Sequence, residues 1–590
     1  MMSALEPLYR WRLPADPPVS AELLEAGRRR GISSRLLRLL AARRIDARGL
    51  DAFFEAPGRG LHDPRLLPDA DLAASRIDRA VAADERVLVF GDFDADGLTG
   101  LAILTLALRQ RGLDAEPYVP SRRDEGHGLS LAAIGRAQAE GRTLIVTVDC
   151  GTSSIVEIAD AAAAGIDVLV TDHHQVPALL PPCPVVNPHR PGNRYPDPRL
   201  TGAGVAFKVA QLVLDREPRG AEAVMAMADL AAIGTVADVA PIAGENHSLA
   251  RLGLALLRQA PRPGVASLLR AARIDRERLD LEDLAFQVAP RLNAAGRVGE
   301  AATAARLLLA TEEAEADTLA AQLEAANIAR RALLATCLDE ARACAESEAA
   351  NGAIVLAGPW PVGIVGLVAG RLAEEFGVPA VVFSTEVSPW RGSARSAGHL
   401  DLARAFDACG HLFERFGGHP QAAGCNLREE NFGRFRERFR ALAGPPPEER
   451  RRELALDLVL PAGEVDYSLY RELELLAPTG PGNPSPLLGV GGLVVTRVRS
   501  AGSGHTQLTV RKGAEVLDAI AFDRGDLADR VREGDRVDVV ARLMSRTFGG
   551  FESLQLEVRD VAAAGQLAAC AAGAGAREAL PALAGSSGRT

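Results

Sequence analysis

The sequence predicts an α/β protein in which two α/β regions, joined by a helical connector, precede a small β-barrel. Three observations predict this class. Short apolar runs alternate with segments of helical length from about residue 86 and again from residue 352, which is typical of parallel sheets with helices on their faces. A charged helical segment separates the two patterns. After the proline-rich stretch "AGPPPEER", five short apolar runs follow at a spacing that fits a barrel of the OB type.

The first α/β region has three apolar runs that end in charged residues. These runs are "RVLVFGD" at 86–92, "TLIVTVDCG" at 143–151 and "IDVLVTDHH" at 166–174. The carboxyl ends of parallel strands meet at one edge of a sheet, and ligands of such sheets bind in the crevice beyond that edge. We therefore expect the three charged clusters to share one crevice.

The same patterns divide the chain into six segments. A helical lead-in is followed by the first α/β domain, the connector, the second α/β domain, the barrel and an Ala/Gly/Ser-rich tail that is expected to be disordered. Their predicted bounds are 1–70, 71–260, 261–345, 346–446, 452–562 and 563–590. No chemistry is assigned to the lead-in.

Composition places the chain among ordinary globular proteins, since 47% of its 590 residues are apolar and 24% are charged. The sequence has no run of about 18 apolar residues that would indicate a membrane span, and its first residues lack an apolar signal core. Seven cysteines without a CxxC pair are typical of reduced thiols, so we expect a cytoplasmic protein. The net charge of −10 argues against a wholly basic nucleic-acid surface but allows a local arginine-lined groove.

The charged clusters supply candidate metal ligands. They are Asp92, Asp94, Asp96, Asp149, Asp172, His173, His174 and, from the apolar run "LAAIGTVADVAPI", Asp238. Such groups repel one another in a crevice unless cations lie between them. A set of this size exceeds what one zinc ion needs and suits two divalent ions ~3.5–4 Å apart that share bridging ligands. The dominant carboxylates favour Mn²⁺ or Mg²⁺, and an imidazole ligand favours Mn²⁺.

Each cluster alone also has a structural interpretation. "DFDADG" could be a turn or a single-ion loop, although it lacks the later glutamate of an EF-hand. Asp149 and Asp238 could cap helices, and His173 and His174 could be surface residues. The arrival of all of them at one crevice favours the metal site.

Several motifs resemble a known family. "DFDADG", "VTVDCG", "VTDHH" and "GTVADVAP" resemble, in order, the four motifs of the DHH phosphoesterase superfamily, and "GGHPQAAG" is similar to the GGH motif of the DHH-associated domain. The stretches "TGAGVAFK", "PRLNAAGR", "GPWPVGIVGLVAGRLAEEFGVP", "GSARSAGHLDL" and "LAPTGPGNPSP" are similar to one branch, the bacterial RecJ exonucleases. The resemblance covers roughly residues 70–560 and implies a DHH domain, a connecting helix, a DHH-associated domain and an OB fold.

The resemblance also implies roles for individual residues. The metal ligands would be Asp94, Asp96, Asp149, His173 and Asp238, with Asp92 and Asp172 as supporting carboxylates. His174 would stand beside the scissile phosphate as an electrostatic partner or proton donor. The remaining substrate contacts would be His127, Arg291, Asn293, Arg297 and, in glycine-rich loops, Arg395, Ser396 and His419. The chain departs from many relatives at Pro361, where they carry His, and at Gly398–His399, where they carry a Gly-Phe pair.

The implied activity is 5′-to-3′ hydrolysis of single-stranded DNA to mononucleotides by two metal ions, in DNA repair and recombination. The implied partners are single-stranded DNA, a single-stranded-DNA-binding protein and a RecQ-type helicase; we expect a monomer without a membrane partner. One alternative is a DHH phosphodiesterase that acts on oligoribonucleotides or cyclic dinucleotides, which the barrel argues against. The other is a non-catalytic DNA-binding scaffold, which the complete set of candidate ligands argues against.

Overall fold

The computed structural model describes residues 5–14, 18–56, 58–122, 124–259, 261–398, 400–446, 453–502, 504–548 and 551–578. The chain forms two compact units. The α/β unit comprises Ala56–Glu448 and Gly480–Gly482. The barrel unit comprises Met1–Glu55, Glu449–Thr479 and Asn483–Thr590.

The first sheet of the α/β unit is parallel, as the alternating pattern predicts. Its five strands, in spatial order, are Asp114–Tyr118, Arg86–Gly91, Leu144–Val148, Asp167–Thr171 and Val185–Val186. Gly91 pairs with Val148, and Val148 pairs with Thr171. The residues that follow these positions are Asp92, Asp149 and Asp172, so the register brings three carboxylates to one edge of the sheet.

Helices cover both faces of this sheet. They are Ala70–Ala82, Ala95–Gln110, Leu131–Ala139, Ile155–Ala163, Gly202–Leu214, Gly220–Met225, Ala228–Ala237 and Glu245–Gln259. Among the described helices, the stretch Gly220–Ala237 is long and apolar enough to cross a membrane by length and composition. It consists of two helices that are mostly buried against the sheet's other helices, which is the environment of a core segment.

The connector is helical. Its elements are the helices Pro263–Ala271, Leu281–Asp283, Ala289–Val298, Ala302–Leu309 and Glu313–Ala349, with a π-helical turn at Leu284–Val288. The last of these helices has 37 residues. Its first half packs in the core of the first sheet, and its second half packs in a core of the second sheet. The predicted domain bounds stay a prediction.

The second sheet is mixed. Its strands, in spatial order, are Phe413–His419, Ala422–Leu427, Trp390–Arg395, Ala380–Ser384 and Ile354–Gly358, and its helices are Val362–Phe376, Leu402–Ala408 and Phe432–Ala443. The predicted glycine-rich loops are largely strand. Arg395 and His419 are the last residues of two of these strands, and Gly417 pairs with Gly424 in the antiparallel ladder.

The barrel unit contains the predicted five-stranded barrel. The strands are Leu488–Ala501, His505–Lys512, Glu515–Ala521, Arg536–Phe548 and Phe551–Ala563. The first strand pairs with both the second and the fourth, and the third pairs with the fifth, so the sheet closes. Additional elements are the strands Arg10–Arg12, Glu453–Ala455 and Leu458–Pro461 and the helices Tyr467–Glu474 and Leu527–Arg530.

Described segments near both ends of the chain are part of this unit. Leu37, Leu40 and Leu50, from the helices Ser34–Ala42 and Ala47–Phe54, are buried in the same core as the barrel strands. The predicted disordered tail begins as a helix, Gln566–Glu578, because Leu567 finds a buried place in an apolar cluster with Trp11. Residues 579–590 of that predicted tail lie outside the described part of the chain.

Candidate metal centre and phosphate site

The acidic loop after the first central strand is held tightly. Asp94 caps the helix Ala95–Gln110, since its side chain accepts hydrogen bonds from the amides of Asp96 (3.1 Å) and Gly97 (3.0 Å). A Cβ at Gly97 would lie 2.6 Å from the carbonyl oxygen of Asp92. Only glycine therefore permits the close return of the chain that places the three aspartates together.

Asp96 is fixed by a second helix. Its buried carboxylate accepts hydrogen bonds from the hydroxyl of Thr201 (2.9 Å) and from the amides of Gly202 (2.7 Å) and Ala203 (2.9 Å). These donors are at the amino end of the helix Gly202–Leu214, where the helix dipole favours negative charge. The motif "TGAGVAFK" thus orients a candidate metal ligand, a role that its sequence alone did not indicate.

The next two strands contribute Asp149 and the adjacent histidines. Asp149 has a φ of +60°, in the left-handed region that non-glycine residues seldom adopt. Nε2 of His173 lies 3.0 Å from Oδ1 of Asp149 and 3.8 Å from Oδ2 of Asp96. His173 therefore stands between carboxylates that follow two different strands.

Asp172 and His174 form a hydrogen-bonded pair. Nδ1 of His174 lies 2.8 Å from Oδ1 of Asp172. Burial lowers the pKa of His174, but the hydrogen bond and charge of Asp172 outweigh it and raise that pKa to about 9. Burial likewise opposes ionisation of Asp172, yet its bonds to His174 and Thr152 lower its pKa. The pair is therefore an imidazolium beside a carboxylate at neutral pH.

Donor atoms of the predicted ligands converge in three groups. Within each group the atoms lie within 4.8 Å of one another. The groups are Asp92, Asp94 and Asp149; Asp149, His173 and His174; and Asp96, His173 and Asp238. Because Asp149 and His173 each belong to two groups, the arrangement has the shared ligands expected of neighbouring ions.

The chemistry of these residues fits divalent cations. Burial first, and neighbouring carboxylates second, raise the pKa of Asp94 to about 6 and that of Asp238 to about 7, and they also raise the pKa of Asp149. Oδ1 of Asp92 and Oδ1 of Asp149 are buried without a hydrogen-bond donor among the described residues, the nearby His173 not being aligned for one. Buried carboxylates without donors are costly unless a cation neutralises them.

Comparison with known proteins identifies the family. Residues 86–235 match the DHH family, N-terminal domain, residues 351–444 match the DHHA1 domain, and residues 456–560 match the RecJ OB domain. The single-stranded-DNA-specific exonuclease RecJ of Bacillus subtilis is 33% identical over 89% of this chain and 67% of its own length. That of Salmonella typhimurium is 34% identical over 89% of this chain and 95% of its own length. The chain belongs to the RecJ family.

Solved RecJ structures support the assignment of the fold and the cations. RecJ from Thermus thermophilus in complex with Mn²⁺ has a TM-score of 0.80 and 32% identity, covering 94% of this chain and 79% of that chain. The Mg²⁺ complex of RecJ from the same organism has a TM-score of 0.75 and 31% identity, covering 94% of this chain and 78% of that chain. Together with the donor groups above, these matches confirm the predicted fold class and the prediction of Mn²⁺ or Mg²⁺.

The second sheet extends this RecJ-family site. The rings of His174 and His419 are nearly parallel, with centroids 6.2 Å apart. Ala422 pairs with His419 on one side and with Arg395 on the other. One short strand therefore lies between Arg395 and His419, two of the three predicted contacts in this region, and the ring of His419 lies beside that of His174.

Arginines gather beside the acidic loop. Burial, followed by the charges of Arg122, Arg330 and Arg395, lowers the pKa of Arg297 to about 9. The guanidinium of Arg122 lies 3.8 Å from the ring centroid of Phe93, and its Nε is buried without an acceptor in the described structure. A small pocket is lined by Arg122, Gly296, Arg297, Pro361, Val362, Gly363, Glu386 and Val387. Clustered, incompletely paired guanidinium groups suit a phosphate.

Arg122 is a residue that the sequence did not single out. It lies in "PSRRDEGHG", a segment in which only His127 was predicted to contact the substrate. The signal that could have found it is its distance of five residues from His127 in a polar loop directly after a strand. His127 itself is exposed, and its Nδ1 lies 3.2 Å from Oδ2 of Asp92.

The other predicted substrate contacts have protein partners. Arg291 is buried and pairs with Glu324 at 2.5 Å. Oδ1 of Asn293 accepts a 2.7 Å hydrogen bond from the amide of Ala95, at the start of the helix that Asp94 caps. The hydroxyl of Ser396 donates to the carbonyl of Leu400 at 2.7 Å. Pro361 directly precedes the helix Val362–Phe376, and His399 lies outside the described residues.

Proposed function

We propose that this chain is a metal-dependent 5′-to-3′ exonuclease that hydrolyses single-stranded DNA to mononucleotides in DNA repair and recombination. The observation that carries the proposal is the set of buried donor groups sharing Asp149 and His173, beside a cluster of arginines. The curated relatives are single-stranded-DNA-specific exonucleases. The proposed ligands are Asp94, Asp96, Asp149, His173 and Asp238, and Asp92 and Asp172 support them.

The residues divide the chemistry among them. When bound, two divalent cations polarise a phosphodiester and lower the pKa of the attacking water. The carboxylate of Asp96 is held by three donors and so keeps its ligand orientation without reorganisation. His174, whose pKa is raised to about 9 by Asp172 against the effect of burial, carries a proton at neutral pH. It can stabilise charge on the phosphate or protonate the departing 3′ oxygen.

Substrate binding is assigned to arginines and to the barrel. Arg122, Arg297 and Arg395 hold backbone phosphate near the acidic loop. On the barrel, neighbouring strands present a polar surface pocket formed by Arg497, Arg499, Gln507, Thr509 and Asp518. Such a surface suits single-stranded DNA, because proteins that bind single strands line the path of the phosphate backbone with positive charge.

Further properties of the chain follow from this assignment. A nuclease for single strands depends on proteins that expose and coat them, so we infer a single-stranded-DNA-binding protein and a RecQ-type helicase as partners of a monomeric enzyme. The seven cysteines are all free thiols, which supports a reducing, cytoplasmic location.

Degradation assays on three substrates test the proposal. The purified chain is given 5′-labelled single-stranded DNA, the same DNA as a blunt duplex, and a cyclic dinucleotide, each with Mn²⁺ and with EDTA. We expect release of labelled mononucleotide from the single strand with Mn²⁺ alone. Preferential cleavage of the cyclic dinucleotide would support the small-substrate phosphodiesterase instead, and DNA binding without hydrolysis would support the scaffold.

A further inference from the structure

One loop presents two side chains to the acidic loop. We call residues 119–130, "VPSRRDEGHGLS", the strap, of which the structure describes all but Arg123. The guanidinium of Arg122 lies 3.8 Å from the ring centroid of Phe93, and the ring of His127 lies 4.5 Å from the same ring. Phe93 is fully buried between Asp92 and Asp94. The strap therefore rests on the loop that carries the proposed ligands.

Glu125 lies between Arg122 and His127 and binds both ends of the strap. One carboxylate oxygen accepts from the amide of Ser121 at 2.8 Å. The other accepts from the hydroxyl of Tyr118 at 2.9 Å and from the hydroxyl of Ser130. Ser130 also caps the helix Leu131–Ala139. A single side chain thus joins the strand before the strap to the helix after it.

The pKa of Tyr118 agrees with this arrangement. Burial, and then the bond to Glu125, raise the pKa of the Tyr118 phenol to about 12. The phenol consequently keeps its proton at any pH at which the enzyme would work and remains a donor to Glu125.

We call the three hydrogen bonds to the Glu125 carboxylate the brace. The strap needs these bonds because two glycines leave its backbone free to adopt other conformations. Gly126 and Gly128 have φ values of +81° and +87°, and glycines populate many other conformations in the absence of restraints. The brace is supplemented by the second sheet, since Nη1 of Arg391 donates to the carbonyl of Arg122 at 3.0 Å. These bonds hold the backbone, while Nε of Arg122 is buried without an acceptor among the described groups.

We propose that Glu125 is a positioning residue, which holds Arg122 and His127 in place for a phosphate without contacting the substrate itself. Its catalytic consequence rests on the proposed nuclease function. Its effect on the strap does not, because that effect follows from the three hydrogen bonds alone.

Variants of the full chain separate positioning from general damage. We expect Glu125→Ala and Arg122→Ala each to raise KM for single-stranded DNA about tenfold or more, with a smaller change in kcat. The double variant should lose little beyond either single variant, because a displaced Arg122 has nothing left to contribute. Glu125→Gln should restore most of the activity, since its carbonyl can accept from Ser121 and the two hydroxyls can reorient toward its amide.

Asp124→Ala is the matched control. Asp124 is an exposed neighbour whose side chain, among the described residues, bonds only within the strap, accepting from the Ser121 hydroxyl at 2.7 Å. Its removal should leave KM unchanged. If Glu125→Ala does not fold, Tyr118→Phe removes one of the three donors and should raise KM by a smaller factor. Additive losses in the double variant, or equal losses in Glu125→Ala and Asp124→Ala, would overturn the proposal.

Limited trypsin digestion tests the strap without the reaction. Cleavage after Arg122, followed by mass spectrometry, should be at least tenfold faster in Glu125→Ala than in the wild type or Asp124→Ala. Unchanged cleavage would overturn the brace. A wild type without nuclease activity would overturn the proposed function and leave the digestion result to decide the role of Glu125.

Discussion

Nε2 of His173 lies 3.0 Å from Oδ1 of Asp149, although the two residues follow different strands and are separated by 23 intervening residues (173 − 149 − 1). The pairing of Val148 with Thr171 sets both at the same edge of the sheet. Each belongs to two of the three donor groups, so these two residues join the proposed ion positions.

Asp149→Asn should abolish hydrolysis while preserving the fold. We expect kcat/KM to fall by about 10³ or more, roughly 4 kcal/mol of transition-state stabilisation, because a shared ligand is lost. The metal-free variant should melt at or above the wild-type temperature, since a buried, repelled carboxylate has been neutralised. Nuclease assays and thermal melts in EDTA measure both effects. The control is Asp160→Asn on an exposed helix position; retained activity in Asp149→Asn would contradict the ligand assignment.

Metal binding should reverse the pH dependence of stability. The folded-state pKa is raised, by burial and by neighbouring carboxylates, to about 6 for Asp94 and about 7 for Asp238. Each therefore stabilises the metal-free fold below its ordinary pKa, and this contribution is lost as pH rises through the folded value. In EDTA the melting temperature should therefore fall as the pH rises from the ordinary carboxyl value of 3.8 to the folded values of about 6 and 7, and should level off above them.

With saturating Mn²⁺ the melting temperature should instead rise over the same interval, because the cation binds the deprotonated carboxylates. Asp238→Asn should flatten the metal-free dependence near pH 7. Parallel pH curves with and without Mn²⁺ would show that these carboxylates do not bind the cation.

Asn293→Ala should weaken metal binding rather than DNA binding. Asn293 accepts from the amide of Ala95, next to Asp94, so its loss frees the start of the ligand-bearing helix. Loss of such an orienting partner typically costs about 10–100-fold in metal affinity. Mn²⁺ titration of activity and calorimetry measure it, with Asn351→Ala at an exposed position as the control. A raised KM for DNA at unchanged Mn²⁺ affinity would favour the predicted phosphate contact.

Arg297→Gln should weaken substrate binding and its salt dependence. Burial and the charges of neighbouring arginines disfavour the charged form of Arg297 and lower its pKa. A bound phosphate would relieve this repulsion. We expect KM for single-stranded DNA to rise about tenfold and the slope of log KM against log salt to fall by about 0.7. Arg371→Gln, an exposed arginine on the helix Val362–Phe376, should change neither quantity. An unchanged salt slope in Arg297→Gln would exclude a phosphate contact.

Leu50→Ala should destabilise the barrel unit without altering the metal centre. Leu50 is fully buried in the core shared with the barrel strands, and truncation of such a leucine costs about 2–5 kcal/mol. Denaturant unfolding should show the loss, while the Mn²⁺ affinity of the folded protein stays unchanged. Leu8→Ala, at a position that is 47% exposed, should cost less than about 1 kcal/mol. Equal costs at the two positions would contradict a structural role for the amino-terminal segment.

Much of the site could be predicted because local pattern and sheet geometry suffice for it. Asp92, Asp149 and Asp172 each end an apolar run, and parallel strands bring such ends together whatever the details of packing. Asp94 and Asp96 follow Asp92 at intervals of two residues, and His173 and His174 directly follow Asp172. These short spacings place further metal-ligand atoms in the same crevice.

The roles within "RLNAAGR" could not be predicted in the same way. Its three polar residues look equivalent in sequence, yet Arg291 pairs with Glu324, Asn293 bonds to Ala95, and Arg297 joins the arginine cluster. A helix turns successive residues toward different neighbours, and those neighbours come from distant segments. The same reason explains why Arg122 and the structural place of the amino-terminal helices were missed.

By itself, the sequence determined the fold class, the order of the sheets and barrel, and the edge at which the acidic and histidine residues meet. The periodicity of apolar residues and the direction of a strand depend only on nearby residues, so both can be predicted from one sequence without knowledge of tertiary contacts. Only the tertiary structure decided which carboxylate oxygens are held by donors. Both oxygens of Asp96 accept hydrogen bonds, whereas Oδ1 of Asp92 has no donor among the described residues. That difference depends on partners brought together by folding, and it is what turns a cluster of charges into an oriented site.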